Sequence, residues 1–139
     1  MATSPPSPVG GYELAGRLRE CLVERPEVVV AYLFGSWARG TQTALSDIDV
    51  AVLLAPVADL RATTMELAAD LSGVTGRARL DLVVLNDAPL ALAYRVLRDG
   101  QLLACRDEVA RVRHWAATVD RYPTWHQRAA SRPPVCRVA

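Results

Sequence analysis

The chain contains no lysine: all 16 of its Lys/Arg positions are arginine. A bias that complete reflects coding composition, so the number of arginines is not by itself a binding signature. Cysteine is scarce. Cys21, Cys105 and Cys136 are widely spaced and have no Cys or His partner at ligand spacing, which excludes a zinc pattern and a disulfide framework. Buried or spare thiols in a reducing compartment are the reading left. No apolar run is long enough to span a bilayer, and the N-terminus lacks a charged region followed by a hydrophobic one. A cytoplasmic protein with no membrane partner is expected. His114 and His126 lie in the last helical region without a Cys or carboxylate at ligand spacing, so both read as surface or partly packed side chains.

With 139 residues, 51% of them hydrophobic, the chain makes one domain with a real core. It leaves no room for a catalytic domain plus a full substrate-binding domain. Its charge is uneven: residues 1–105 hold nine arginines against twelve acids, and residues 106–139 hold seven against three. The basic end could touch phosphates, RNA or an acidic partner, but a solvated face with a frayed end is the commoner meaning. Direct nucleic-acid binding is not expected.

Residues 1–10, rich in Pro, Ser and Thr, are expected to be disordered. Leu14, Leu18, Cys21 and Leu22 predict a helix over Tyr12–Glu24, ending before Pro26. A buried strand follows at Glu27–Phe34, then a short helix at Ser36–Arg39, a loop at Thr41–Ser46 and a second strand at Asp47–Leu54. Ala58–Ser72 reads as an amphipathic helix through Leu60, Thr64, Leu67 and Leu71, closed by Gly73 and Gly76. A third strand is expected at Arg79–Leu85, a helix at Pro89–Arg98, a short edge strand at Gln101–Cys105, and a last helix at Glu108–Tyr122. That helix presents Val109, Val112, Ala116 and Val119 as its apolar stripe, and residues 123–139 form a basic tail. Strands alternating with helices make this an α/β fold with a small sheet, its domain spanning residues 11–122.

The informative stretch is Phe34-Gly35-Ser36, ten further residues, and Asp47-Ile48-Asp49 at the head of an apolar run. On a strand, side chains alternate, so Asp47 and Asp49 share one face while Ile48 and Val50 point into the protein. Two carboxylates about 7 Å apart along a strand can grip one divalent cation or two. Gly35-Ser36 falls where a strand turns into a short helix, a point that presents unpaired backbone N–H groups to phosphate. Each part has a structural alternative: Ser36 as an N-cap, Gly35 as a turn residue, Asp47 as a loop cap. Two aspartates opening an apolar strand are nevertheless disfavoured unless something compensates them. Phosphate seat and carboxylate pair together point to metal-dependent phosphoryl or nucleotidyl chemistry.

The string Gly35-Ser36-x10-Asp47-x-Asp49, with Ala38-Arg39-Gly40 and Ser46 around it, resembles the signature of the polymerase-beta-type nucleotidyltransferase superfamily. The small size makes it most similar to the minimal nucleotidyltransferase (MNT) antitoxins that are paired with HEPN toxins. The resemblance implies a mixed sheet with helices packed on one side. It also implies a third acidic residue on the next strand, which Asp81 in Arg79-Leu80-Asp81-Leu82 matches; Asp59 and Asp70 fall in a helical stretch, and Asp87 in a turn before Pro89.

The chemistry then expected has Asp47 and Asp49 holding two Mg²⁺, with Asp81 completing one shell and accepting the nucleophile's proton. Gly35 and Ser36 grip the β- and γ-phosphates of ATP, and Arg39 either neutralises phosphate or caps the short helix. The MNT resemblance implies AMP transfer to a tyrosine of a cognate HEPN ribonuclease toxin, silencing it within a hetero-oligomer. Two alternatives stand beside it: a non-catalytic antitoxin acting by occlusion, and a nucleotidyltransferase acting on a small molecule or RNA. Trp37 and Tyr94 read as packing. Trp115 and Trp125, with Tyr122, could shield the end of the sheet or form part of a partner surface.

Overall fold

The structure, a computed structural model, describes residues 11–43, 46–76 and 79–121. The expected N-terminal segment 1–10 and tail 123–139, with Tyr122, Trp125, His126 and Cys136, lie outside the described residues. Nine elements follow in the order α1 (Gly11–Val23), β1 (Val28–Phe34), α2 (Ser36–Arg39), β2 (Ile48–Leu54), α3 (Leu60–Thr75), β3 (Leu80–Val84), α4 (Leu90–Asp99), β4 (Gln101–Cys105) and α5 (Glu108–Arg121). The four strands make one sheet in the order β3-β2-β1-β4. β1 runs antiparallel to both β2 and β4, whereas β2 and β3 are parallel. A parallel neighbour requires a crossover, and α3 supplies it. The expected mixed sheet and the edge position of β4 are both present.

The helices do not pack on one side. Leu14, Leu18 and Leu22 of α1 and Leu67 and Leu71 of α3 cover one face, against Ala31, Leu33, Ile48, Val50, Val52 and Leu54. Ala93, Val96 and Leu97 of α4, with Trp115 of α5, cover the other, against Val30, Tyr32, Phe34 and Ala51. The reason lies in β1, whose residues are buried at nearly every position. A strand apolar on both faces must be covered on both, because each exposed aliphatic side chain forgoes about 1.5–3 kcal/mol of burial.

Element boundaries shift by one to three residues, those of β2 and α3 among them. β2 begins at Ile48 rather than Asp47, although Ile48 N–H still donates to the Arg79 carbonyl at 2.7 Å. α3 runs through Gly73 to Thr75, and its N-cap is Asp59, whose carboxylate accepts from Ala62 N–H at 3.0 Å. At the far end of β2, the Asn86 side-chain amide imitates a strand: it accepts from Leu54 N–H at 2.9 Å and donates to Leu54 C=O at 2.8 Å.

α5 turns a different face inward than its apolar residues predict. Val109 is 59% exposed, Val112 is 38% exposed and Ala116 is also exposed. Arg111 and Thr118 are buried instead, and Trp115 packs against the cluster on that face. The polar atoms inside are largely satisfied locally. Arg111 donates to both carboxylate oxygens of Glu108 one turn away, and Thr118 Oγ1 donates to the His114 carbonyl at 2.8 Å. The arginine stem can then lie on apolar surface while its head is neutralised. Tyr94, as expected, is core, and Trp37 packs against the α1/α3 cluster.

Candidate active site

Strand register carries the carboxylates to one place. Phe34, the last residue of β1, is opposite Asp49, and Asp49 is opposite Asp81 across the parallel β2–β3 pair. Neighbouring strands lie about 4.8 Å apart, and paired residues project from the same face. Asp49 and Asp81 therefore share the α4/α5 face at the end of the sheet where β1 leaves for α2, and Asp47, just before β2, is near enough for its charge to act on Asp49. Asp47 and Asp81 are exposed and Asp49 is half-buried. The register thus sets Asp81, the third acid that the resemblance implies, on the strand position beside Asp49. Among the described residues, however, no three His, Cys, Asp or Glu side chains are arranged as a closed metal-binding group.

The Asp49 carboxyl is raised above its ordinary range, first by loss of water around it and then by the negative charges of Asp81 and Asp47; Arg39 opposes the shift. Like charges crowded at a strand end disfavour ionisation unless a cation joins them. The electrostatics of this corner are thus incomplete without positive charge.

Gly35 and Asp49 interlock. Gly35 has φ +76°, a conformation that side-chain-bearing residues rarely adopt, and a Cβ there would run into Asp49 Oδ2, with Asp49 Cγ only 3.2 Å away. The backbone of the turn and the central carboxylate rest on each other. Ser36 then opens α2, whose first N–H groups have no partner in the preceding turn, and Ser36 Oγ makes no hydrogen bond among the described residues. Gly40 closes the short helix by donating to the Ser36 carbonyl. Arg39, in the last turn of α2, is exposed, and its charge reaches both Asp49 and Asp99. Trp37 donates at long range, 3.5 Å, to the carbonyl of Ser46, and Thr43 N–H donates to Ser46 Oγ at 2.8 Å. Those contacts brace the residue immediately before Asp47.

Asp99, at the end of α4, was not visible as a site neighbour in the sequence. Only the register of β4 brings it to this end of the sheet, since Gln101 pairs with Leu33. His114 is partly packed, and burial lowers its imidazole below the usual range. Tyr32 lies under α5, and burial above all pushes its hydroxyl up to about 12.

The geometry has relatives. The family model described as polymerase beta, nucleotidyltransferase, matches residues 17–109, more than half of the chain. The chain belongs to that family. It is 40% identical over 78 residues to the protein adenylyltransferase MntA of Shewanella oneidensis, a match spanning 56% of this chain and 55% of that protein, so it covers about half of the relative's length. Its fold matches the crystal structure of a toxin–antitoxin with AMP-PNP at TM-score 0.66 and 32% identity, over 76% of this chain and 84% of that one. It also matches the complex of tri-AMPylated Shewanella oneidensis HEPN toxin with MNT antitoxin at TM-score 0.62 and 27% identity, over 79% and 84% of the two chains. The nucleotidyltransferase fold and the likeness to MNT antitoxins expected from the Gly-Ser…Asp-x-Asp string are thereby borne out.

Proposed function

We propose that this protein is a metal-dependent adenylyltransferase that moves AMP from ATP to a tyrosine hydroxyl of a partner HEPN ribonuclease toxin and so acts as its antitoxin. The observation that carries this reading is the register Phe34–Asp49–Asp81, which sets three carboxylates beside the Gly35-Ser36 turn. The relatives agree with it, one being a protein adenylyltransferase and another an antitoxin held with an AMPylated toxin.

The donor set fits Mg²⁺. It consists only of carboxylate oxygens, and the loss of water and the neighbouring Asp81 and Asp47 charges that raise Asp49 are offset by a divalent charge. Mg²⁺ binds through one or two carboxylates plus substrate phosphates and water rather than in an all-protein cage, so a closed three-ligand group is not required beforehand. In our reading Asp47 and Asp49 hold two ions and Asp81 joins one of them. The ions, when bound, neutralise phosphate charge and acidify the acceptor hydroxyl.

The protein's own groups do the rest. The Gly35-Ser36 turn and the Ser36 hydroxyl orient the triphosphate. A free tyrosine hydroxyl ionises near 10, so Asp81, exposed on the edge strand, takes its proton as the phenolic oxygen bonds to the α-phosphorus. The α–β phosphoanhydride bond breaks and pyrophosphate leaves. The unit doing this spans residues 11–122 and works in the cytoplasm, where ATP is abundant and the thiols of Cys21 and Cys105, which are not in disulfides, match a reducing environment.

The test is transfer of label from α-labelled ATP with a HEPN toxin, an aminoglycoside and an RNA offered in parallel. Label on a toxin tyrosine, lost with Asp47→Asn while the complex still forms, supports the proposal. Neutralisation that survives Asp47→Asn would establish occlusion instead, and label on either other acceptor would move the substrate class.

A further inference from the structure

Asp47 is held differently from the other two acids. Asp49 and Asp81 sit inside strands, whereas Asp47 is exposed and stands one residue before β2. Its position therefore depends on its neighbours in the chain. On the C-terminal side, Ile48 is buried and its N–H donates to the Arg79 carbonyl at 2.7 Å. On the N-terminal side, Ser46 carries the restraint. Its hydroxyl accepts from Thr43 N–H at 2.8 Å and lies 3.3 Å from Thr43 Oγ1, and its own N–H donates to the Thr43 carbonyl at 3.1 Å. Its carbonyl accepts from Trp37 Nε1 at 3.5 Å, while Trp37 packs against the α1/α3 cluster. At the start of the same connection, Thr41 N–H donates to the Ser36 carbonyl at 3.0 Å. The link from α2 to β2 is thus tied to the Gly35-Ser36 turn at one end and to the core through Trp37 at the other.

We infer that Ser46 is a positioning residue: clasped to Thr43 and Trp37, it fixes the backbone at Asp47 and so sets the affinity of that carboxylate for a divalent cation. This rests on the metal-dependent adenylyl-transfer reading above and gives a role to a residue behind the ligand. Folding stability alone does not account for the arrangement. The hydrogen bonds between Thr43 and Ser46 are exposed, and bonds that replace ones to water add little to folding. Their effect is on order. A carboxylate on a loosely held loop loses conformational freedom when it takes a cation, and a loop already fixed removes that part of the cost before the cation arrives. Serine suits the task because its short hydroxyl reaches a main-chain N–H three residues earlier. Groups behind metal ligands that hold them in place set metal affinity without touching the metal.

The experiment uses the full chain, with Mn²⁺ as a paramagnetic probe titrated in the presence of α,β-methylene ATP and followed by electron paramagnetic resonance. Melting temperatures of the metal-free proteins are measured alongside. Ser46→Ala is expected to bind Mn²⁺ about tenfold more weakly, the lower end of what residues supporting a metal ligand contribute, with its melting temperature close to that of wild type. Ser46→Thr keeps the hydroxyl and is expected to restore most of the affinity. Unchanged Mn²⁺ binding in Ser46→Ala, or a loss of affinity that only accompanies a steep fall in melting temperature, would overturn the assignment. A wild-type protein that binds no Mn²⁺ with the nucleotide would instead overturn the metal-dependent reading itself, so the two failures are told apart.

Discussion

The two faces of the sheet are built from the same strands but to different ends. On the α1/α3 side, β2 presents Ile48, Val50, Val52 and Leu54, all buried, against leucines. On the α4/α5 side the same strand presents Asp49, Ala51 and Leu53, and the face also holds Tyr32, Arg111 and Trp115. Here Arg111 keeps one buried terminal nitrogen, and Trp115 its indole nitrogen, without a hydrogen-bond partner among the described residues. One face maximises burial, and the other gives up some of it to hold charge and polar groups. A strand's two-residue period lets both designs coexist without interference.

The largest effect that would sharpen this contrast is on activity. Asp49→Asn should lower AMP transfer by about 1000-fold, the several kcal/mol that metal-centred charge stabilisation supplies, while the melting temperature holds or rises because like-charge crowding is relieved. A fall in melting temperature with activity retained would erase the distinction between the faces. The mirror experiment is Leu67→Ala on the other face. It should cost about 2–5 kcal/mol in denaturant unfolding and leave the specific activity of the folded fraction intact.

Gly35→Ala sits between these outcomes. Positive φ alone costs roughly 1–2 kcal/mol, and the displaced Asp49 carboxylate should raise the Mg²⁺ concentration needed for half-maximal activity. An unchanged metal requirement would show that the Gly35–Asp49 contact is dispensable. Asn86→Ala removes two hydrogen bonds at the opposite end of β2 and should cost about 1–2 kcal/mol of stability without touching the metal requirement.

The smallest effect is on pH dependence. Because the Asp49 carboxyl is raised on folding, the folded state holds its proton more tightly than the unfolded chain. Metal-free wild type should therefore lose stability relative to Asp49→Asn as pH climbs from the ordinary carboxylate value of 3.8 through the raised one. Parallel melting curves of the two proteins across that window would show that burial and the neighbouring acids do not raise the carboxyl.

Much of this was legible beforehand because it is local. The alternation through Asp47-Ile48-Asp49-Val50, the Gly-Ser turn and the apolar runs fix strand positions, faces and the carboxylate pair within a few residues of chain. Asp81 needed the resemblance as well, because its pairing with Asp49 depends on a crossover that periodicity does not encode. What stayed hidden depends on distant partners. Val109, Val112 and Ala116 look like the inner stripe of α5, yet Arg111 takes the inner position once Glu108 neutralises it above Tyr32. Asp99 carries no sign of the site until β4 pairs with β1 and brings the end of α4 to the same end of the sheet.

The parallel step from β2 to β3 also makes the third carboxylate sensitive to chain length in an all-or-none way. Adding or deleting one residue between α3 and Leu80 while the ladder is kept would turn Asp81 onto the leucine-covered side and bring an aliphatic neighbour into its place. Two residues would preserve the face but slide the carboxylate about 7 Å along the strand. Variation in the length of that connection is thus a means of withdrawing the third carboxylate while Asp49 and the Gly35-Ser36 turn keep their places.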